Sequence, residues 1–149
     1  MVGKKRLLVV ATITVFGVMA VAGPAVAAML TATLTGAAEV NANGDPNQGD
    51  LDGTGTANLR TIPKKEKICY DITVSNIAPA TAAHIHKAPA GVNGPIIKTL
   101  KAPTDGSSQG CVRMGRKQIM MINRNPSAFY VNVHNDDFPN GAVRGQLSK

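Results

Sequence analysis

The sequence predicts an all-β fold, an antiparallel β-sandwich of about seven or eight short strands. Three observations lead there. No segment after Ala28 keeps a long 3.6-residue period, so extended helices are not expected. Short runs instead alternate apolar and polar residues, as strands do when one face meets a core and the other meets water. Clusters of Asn, Gly, Asp and Pro separate these runs, and those residues supply the backbone conformations that turns need.

Each element follows from local pattern. "MLTATLTGAAEV" (Met29 to Val40) reads as a first strand region, and the Asn/Gly/Asp-rich stretch Asn41 to Gly55 as a loop. "TANLRTI" resumes a strand, and "PKKEK" (Pro63 to Lys67) is an exposed turn. "ICYDITVSNI" alternates well: Ile68, Tyr70, Ile72 and Val74 share one face, while Cys69, Asp71 and Thr73 share the other. "PIIKTL" and "GCVRM" are shorter strands. In the latter, Val112 and Met114 face the core and Cys111 points outward with Arg113. "RKQIMMINRNPSA" can hold one or two helical turns, ending near Asn125 because Pro126 disfavours helix at the residue before it. "FYVNVH" and "AVRGQL" form the last hairpin, across the loop 135–141. A simple register sets His134 opposite Ala142, Asn132 opposite Arg144 and Tyr130 opposite Gln146.

The first 27 residues read as a signal peptide rather than as part of the domain, which spans 28–149. Lys4, Lys5 and Arg6 form a positive start, Leu7 to Ala22 an apolar core, and Ala25-Val26-Ala27 a small-residue cleavage site. Their removal takes away three bases and no acids, so 13 bases and nine acids remain, a net charge of +4. Apart from Lys64, Lys65 and Lys67 these bases look scattered, and the chain has two Tyr, three Phe and no Trp. That argues against nucleic acid as a partner, since single-strand binding wants a dense basic patch with stacking aromatics. No membrane partner is expected once the leader is cut.

Export also frames the cysteines. Cys69 and Cys111 are an even pair in a compartment that oxidises thiols, so a disulfide is expected, closing a loop of 41 intervening residues. Both sit on outward strand parity, so the bridge would staple the sheet without occupying core volume. Catalysis finds little support: there is no G-x-S-x-G and no paired arrangement of acids, and an enzyme is not expected. Asp45, Asn47, Asp50 and Asp52 lie in the first loop, but their spacing is not that of an EF-hand, and an ordinary turn is favoured.

The candidate site is "AAHIHK". His84 and His86 stand two apart, which on a strand places both on one face, about 6.5–7 Å apart along it. If the strand ending in His134 lies nearby in the same sheet, three imidazoles converge. Such a set suits zinc or copper with a coordination position left open. The competing reading is a structural polar network of these histidines with Tyr130, Asn132, Arg144 and the loop acids Asp136 and Asp137. A permanent guanidinium charge at Arg144 opposes a cation unless an acid screens it.

"AAHIHKAPAGVNGPIIKTL" followed by "FYVNVHNDDFPNGAVRGQL" resembles the CHRD (chordin-type) domain, in its exported bacterial single-domain form. "LTGAAEVNANGDPNQGDLDGTGTANL" and "ICYDITVSNI" are similar to that family too, so the likeness runs from Leu30 to Leu147. The resemblance implies an immunoglobulin-like sandwich of Greek-key type. It also implies a secreted or periplasmic module with a binding or structural role and an extracytoplasmic protein or surface ligand as partner. It implies no settled activity. The "HIH" also resembles the H-x-H of copper/zinc superoxide dismutases, yet three histidines are too few for a copper-plus-zinc pair with its bridging histidine.

Overall fold

The structure is a computed structural model and describes residues 26–149. The leader expected over residues 1–27 lies outside the described residues, apart from Val26 and Ala27. Eight strands follow in order: β1 (Met29–Thr35), β2 (Thr54–Ile62), β3 (Lys67–Ser75), β4 (Ala82–Lys87), β5 (Ile96–Leu100), β6 (Ser107–Arg113), β7 (Phe129–His134) and β8 (Val143–Gln146). One helix, α1 (Arg116–Arg124), and three short 3-10 turns complete the chain described.

The all-β expectation holds, but the strands do not form the expected immunoglobulin-like sandwich. They make one antiparallel sheet in the order β5-β4-β7-β8-β1-β2-β3-β6, curled into a nearly closed barrel. The sandwich fails at β1. This strand pairs with β2 along its whole length and also meets β8, through Thr35–Arg144 and the isolated bridge Thr31–Ser148. Two sheets are thereby joined into one. Gly145 allows the approach, because a side chain there would strike the Thr33 carbonyl. The remaining seam lies between the edge strands β5 and β6, and side chains tie it. Lys101 N–H donates to the Tyr70 hydroxyl (2.9 Å), and the Ser108 hydroxyl donates to the Lys101 carbonyl (2.8 Å). Both edges therefore have partners that blunt them against further pairing.

Inside the barrel lies one apolar core. Leu30, Ala32 and Leu34 of β1 meet Leu59, Ile68, Ile72, Ile85, Val131 and Val133. The alternation in β3 is as the sequence predicts, with Ile68, Tyr70, Ile72 and Val74 buried. The β7–β8 register is also as expected, with Asn132 opposite Arg144 and Tyr130 opposite Gln146. Helix α1 closes one end of the barrel by burying Ile119 and Ile122, and it stops at Asn125 before Pro126. The first strand is shorter than its sequence pattern suggests: the chain leaves β1 at Thr35 into a 3-10 turn at Gly36–Ala38. A side chain at Gly36 would overlap the Asp50 backbone, so the loop after β1 packs tightly against its own return.

Cys69 and Cys111 face each other across β3 and β6 and are bonded, 42 positions apart in sequence. Their outward parity is kept, with Cys111 exposed and Cys69 half-buried.

Candidate metal centre

Strand β4 lies beside β7, with Ala82 opposite His134, His84 opposite Asn132 and His86 opposite Tyr130. The period-2 alternation sends Ala83 and Ile85 into the core and His84 and His86 to the other face. His134, two residues beyond Asn132 on the same face of β7, then stands diagonal to His84. The three imidazoles expected to converge do so: each offers a ring nitrogen, and these nitrogens lie within 4.8 Å of one another.

Hydrogen bonds fix the chemistry of each ring. The Gly94 and Pro139 carbonyls can only accept. His86 Nδ1–H therefore donates to Gly94 (2.9 Å), and His134 Nδ1–H donates to Pro139 (3.1 Å). Both rings are left with a lone pair on Nε2. That of His134 accepts from Nδ1–H of His84 (3.1 Å), and that of His86 is buried without a partner. Burial holds all three imidazoles below their usual pKa, with a further lowering at His86 and His134 from neighbouring charged histidines and, at His86, from Arg144. Near neutral pH the rings are uncharged, and an ion held between Nδ1 of His84 and Nε2 of His134 would take the place of the proton they share, leaving His84 protonated on Nε2.

Ring nitrogens around a tetrahedral ion with bonds of about 2.0–2.1 Å stand roughly 3.3–3.4 Å apart. The His84–His134 pair is already near that spacing. Metal-bound histidines commonly donate their other N–H to a carbonyl, which fixes the tautomer and aims the lone pair. His86 and His134 have that arrangement in place.

This face is not the solvated outer surface that strand alternation alone implies. The loop between β1 and β2 and the turn after β4 cover it, so that Tyr130, Asn132 and Arg144 are buried. Arg144 is 1 % exposed, yet its charge is well met. Its guanidinium donates to Val92 O (2.8 Å), Pro89 O (3.2 Å) and Asn93 Oδ1 (3.2 Å) and lies 3.5 Å above the Tyr130 ring. His86 stacks on the same Tyr130, with centroids 4.6 Å apart and planes 6° from parallel. Because β7 lies between β4 and β8, the tyrosine ring separates the guanidinium from the imidazole.

The acid beside this network is Glu39, not the expected Asp136 and Asp137. Those two are exposed in the turn after β7. Glu39 reaches in from the covering loop and accepts a hydrogen bond from Asn132 Nδ2. Its carboxyl is pushed up to about 7 by burial, against the pull of Arg144 and the Asn132 bond. Gly141 is required beside it: its φ is +143°, and a side chain there would meet Glu39 and Asn132. Sequence reasoning missed Glu39 and the Gly94 and Pro139 carbonyls. The one available signal was an acid in the otherwise apolar "GAAEV". A pocket of about 380 Å³ opens beside His86, lined also by Tyr130, Asn132, Asn93 and Asn140. His86 and Asn132, whose Nε2 and Oδ1 are buried without hydrogen-bond partners, are among its lining residues.

In the first loop, Asn41, Asp45, Asp50 and Asp52 bond within the turn itself. Asn41 Oδ1 accepts from the Asn43 and Asp45 amides, and Asp50 Oδ1 accepts from the Asp52 amide. That is the ordinary turn chemistry of these residues.

Comparison with known proteins gives one family: the model of the CHRD domain matches residues 30–147. No curated protein matches the chain.

Proposed function

The chain belongs to the CHRD domain family, and from that premise we propose that it is a non-catalytic binding module outside the cytoplasm, holding a copper or zinc ion at His84, His86 and His134. The observation that carries the metal reading is the convergence of three uncharged imidazoles, two of them oriented by backbone carbonyls. The donor set is all nitrogen, which suits zinc or copper better than calcium or magnesium. Three protein ligands leave a position open for water or another small ligand, and a pocket lies beside one of them, His86. The Cys69–Cys111 bond and the leader-like residues 1–27 support an oxidising, extracytoplasmic setting.

A second reading is favoured by the same hydrogen bonds. His86 and His134 tie the 88–95 and 135–141 turns to the sheet through Gly94 and Pro139, so the cluster can serve stability alone. The two readings separate in one experiment. Protein stripped of metal is titrated with zinc and with copper, beside a His84→Ala, His134→Ala variant, and melting is followed. Under the metal reading one equivalent binds and raises the Tm, and the variant loses both effects. A purely structural cluster would leave the Tm indifferent to either ion while the variant melts lower.

A further inference from the structure

We infer that the α1 end of the barrel is a docking face for an anionic lipid surface, a role independent of the metal reading. In the sequence the bases look scattered, and the expectation of no membrane partner rests on removal of the leader. The fold gathers several of these bases. Helix α1 packs against the 3-10 turn Pro63–Lys65, and β3 begins and β6 ends beside them. Lys64, Lys65, Lys67, Arg116, Lys117 and Arg124 are thereby gathered at one end of the barrel, and all are exposed. The acid among them, Glu66, is engaged with Arg113 at 3.3 Å. At the opposite end of the strands, the loops carry Asp50, Asp52, Asp105, Asp136 and Asp137. The domain is therefore polarised, and its basic end will turn toward a negative surface.

Charge alone would also suit a soluble polyanion. One feature favours lipid: apolar side chains stand exposed among the bases, Met29 at 63 % and Met121 at 44 %. They border two adjoining shallow depressions that share Met120 and Arg124. Bases around protruding apolar groups match an interface of headgroups over acyl chains. Among the described residues the aromatic ring of this end, Phe129, is buried, so they offer no stacking platform for nucleic acid on this face.

The test is flotation of the protein recovered from the extracytoplasmic fraction. The vesicles are phosphatidylcholine alone, or phosphatidylcholine mixed with phosphatidylglycerol. Each base near an anionic leaflet is worth roughly fivefold in partition, so Arg116→Gln, Lys117→Gln, Arg124→Gln together should weaken binding to the mixed vesicles about a hundredfold. A variant with the same charge loss elsewhere, Lys98→Gln with Lys101→Glu, should retain most of the binding. Met121→Gln, which removes the apolar group without changing charge, should weaken vesicle binding while leaving capture of soluble polyphosphate unchanged. Equal losses from the two charge variants would reduce the effect to net charge and overturn the proposal. So would equal binding to phosphatidylcholine alone, or an indifference of vesicle binding to Met121→Gln, which would indicate a polyanion site. All the substituted positions lie on the surface, and matched melting curves exclude unfolding as the cause.

Discussion

Glu39→Gln isolates the buried carboxyl beside Arg144. Glu39 is 3 % exposed and its carboxyl is raised from 4.5 to about 7, first by burial, with Arg144 and the Asn132 bond pulling the other way. In the unfolded chain it ionises near 4.5; in the fold it keeps its proton to about 7. Between those values the folded state binds more protons than the unfolded state, so this residue's contribution to stability falls as pH rises through the interval. The gap, at about 1.4 kcal/mol per pH unit, amounts to about 3 kcal/mol. Gln mimics the protonated form in shape and can still accept from Asn132. The stability of wild type minus that of Glu39→Gln should therefore be constant below pH 4.5, fall by about 3 kcal/mol on the way to neutrality, and level off above pH 7. Urea unfolding across that range measures it, and subtraction removes the histidine titrations common to both proteins. A difference that stays flat to within about 0.5 kcal/mol would mean that Glu39 is solvated and ionised in the fold, and the closed cover over the site would be wrong.

Other predictions concern the staple, the guanidinium and the imidazoles. Cys69→Ser, Cys111→Ser should lose up to about 4 kcal/mol of stability on the loop-entropy account, and thiol labelling of unreduced, unfolded protein should find no free cysteine; full labelling of both would refute the bond. Arg144→Lys cannot keep the three-way donation to Val92, Pro89 and Asn93, so it should destabilise by about 2–4 kcal/mol in chemical denaturation. A loss below about 0.5 kcal/mol would show that the turn after β4 is held by something else. Because burial lowers all three imidazoles, zinc affinity should hold from pH 8 down to about the usual imidazole value near 6.5 and weaken only below it. Calorimetric titrations that lose affinity already above that value would contradict neutral rings.

Much of this was legible where the information is local. Strict alternation fixed the buried set of β3, and the same parity placed Cys69 and Cys111 outward. The short loop between β7 and β8 allowed few registers, so the pairing of Asn132 with Arg144 followed from the hairpin alone. The meeting of His84 with His134 needed only that β4 and β7 be neighbours. What escaped is long-range. Whether eight strands form two sheets or one depends on β1 also meeting β8, a contact between the two ends of the domain that no local pattern encodes. Parity assigns a side chain to a face but does not say what covers that face, so Tyr130 and Arg144 read as outward when loops in fact bury them. Asp136 and Asp137 were favoured because they are close in sequence, while Glu39 arrives 93 positions from Asn132. The basic end escaped for the same reason, since its charges come from separate elements that only the closed barrel brings together.

The central claim, that three histidines hold one transition-metal ion, is tested most directly by elemental analysis of protein taken from its native compartment. The companion sample carries His84→Ala and His86→Ala. The account predicts one equivalent of copper or zinc in the native protein and none in the variant, with the variant still folded and its Cys69–Cys111 bond intact. Native protein free of both metals, and still free after titration with each, would contradict it.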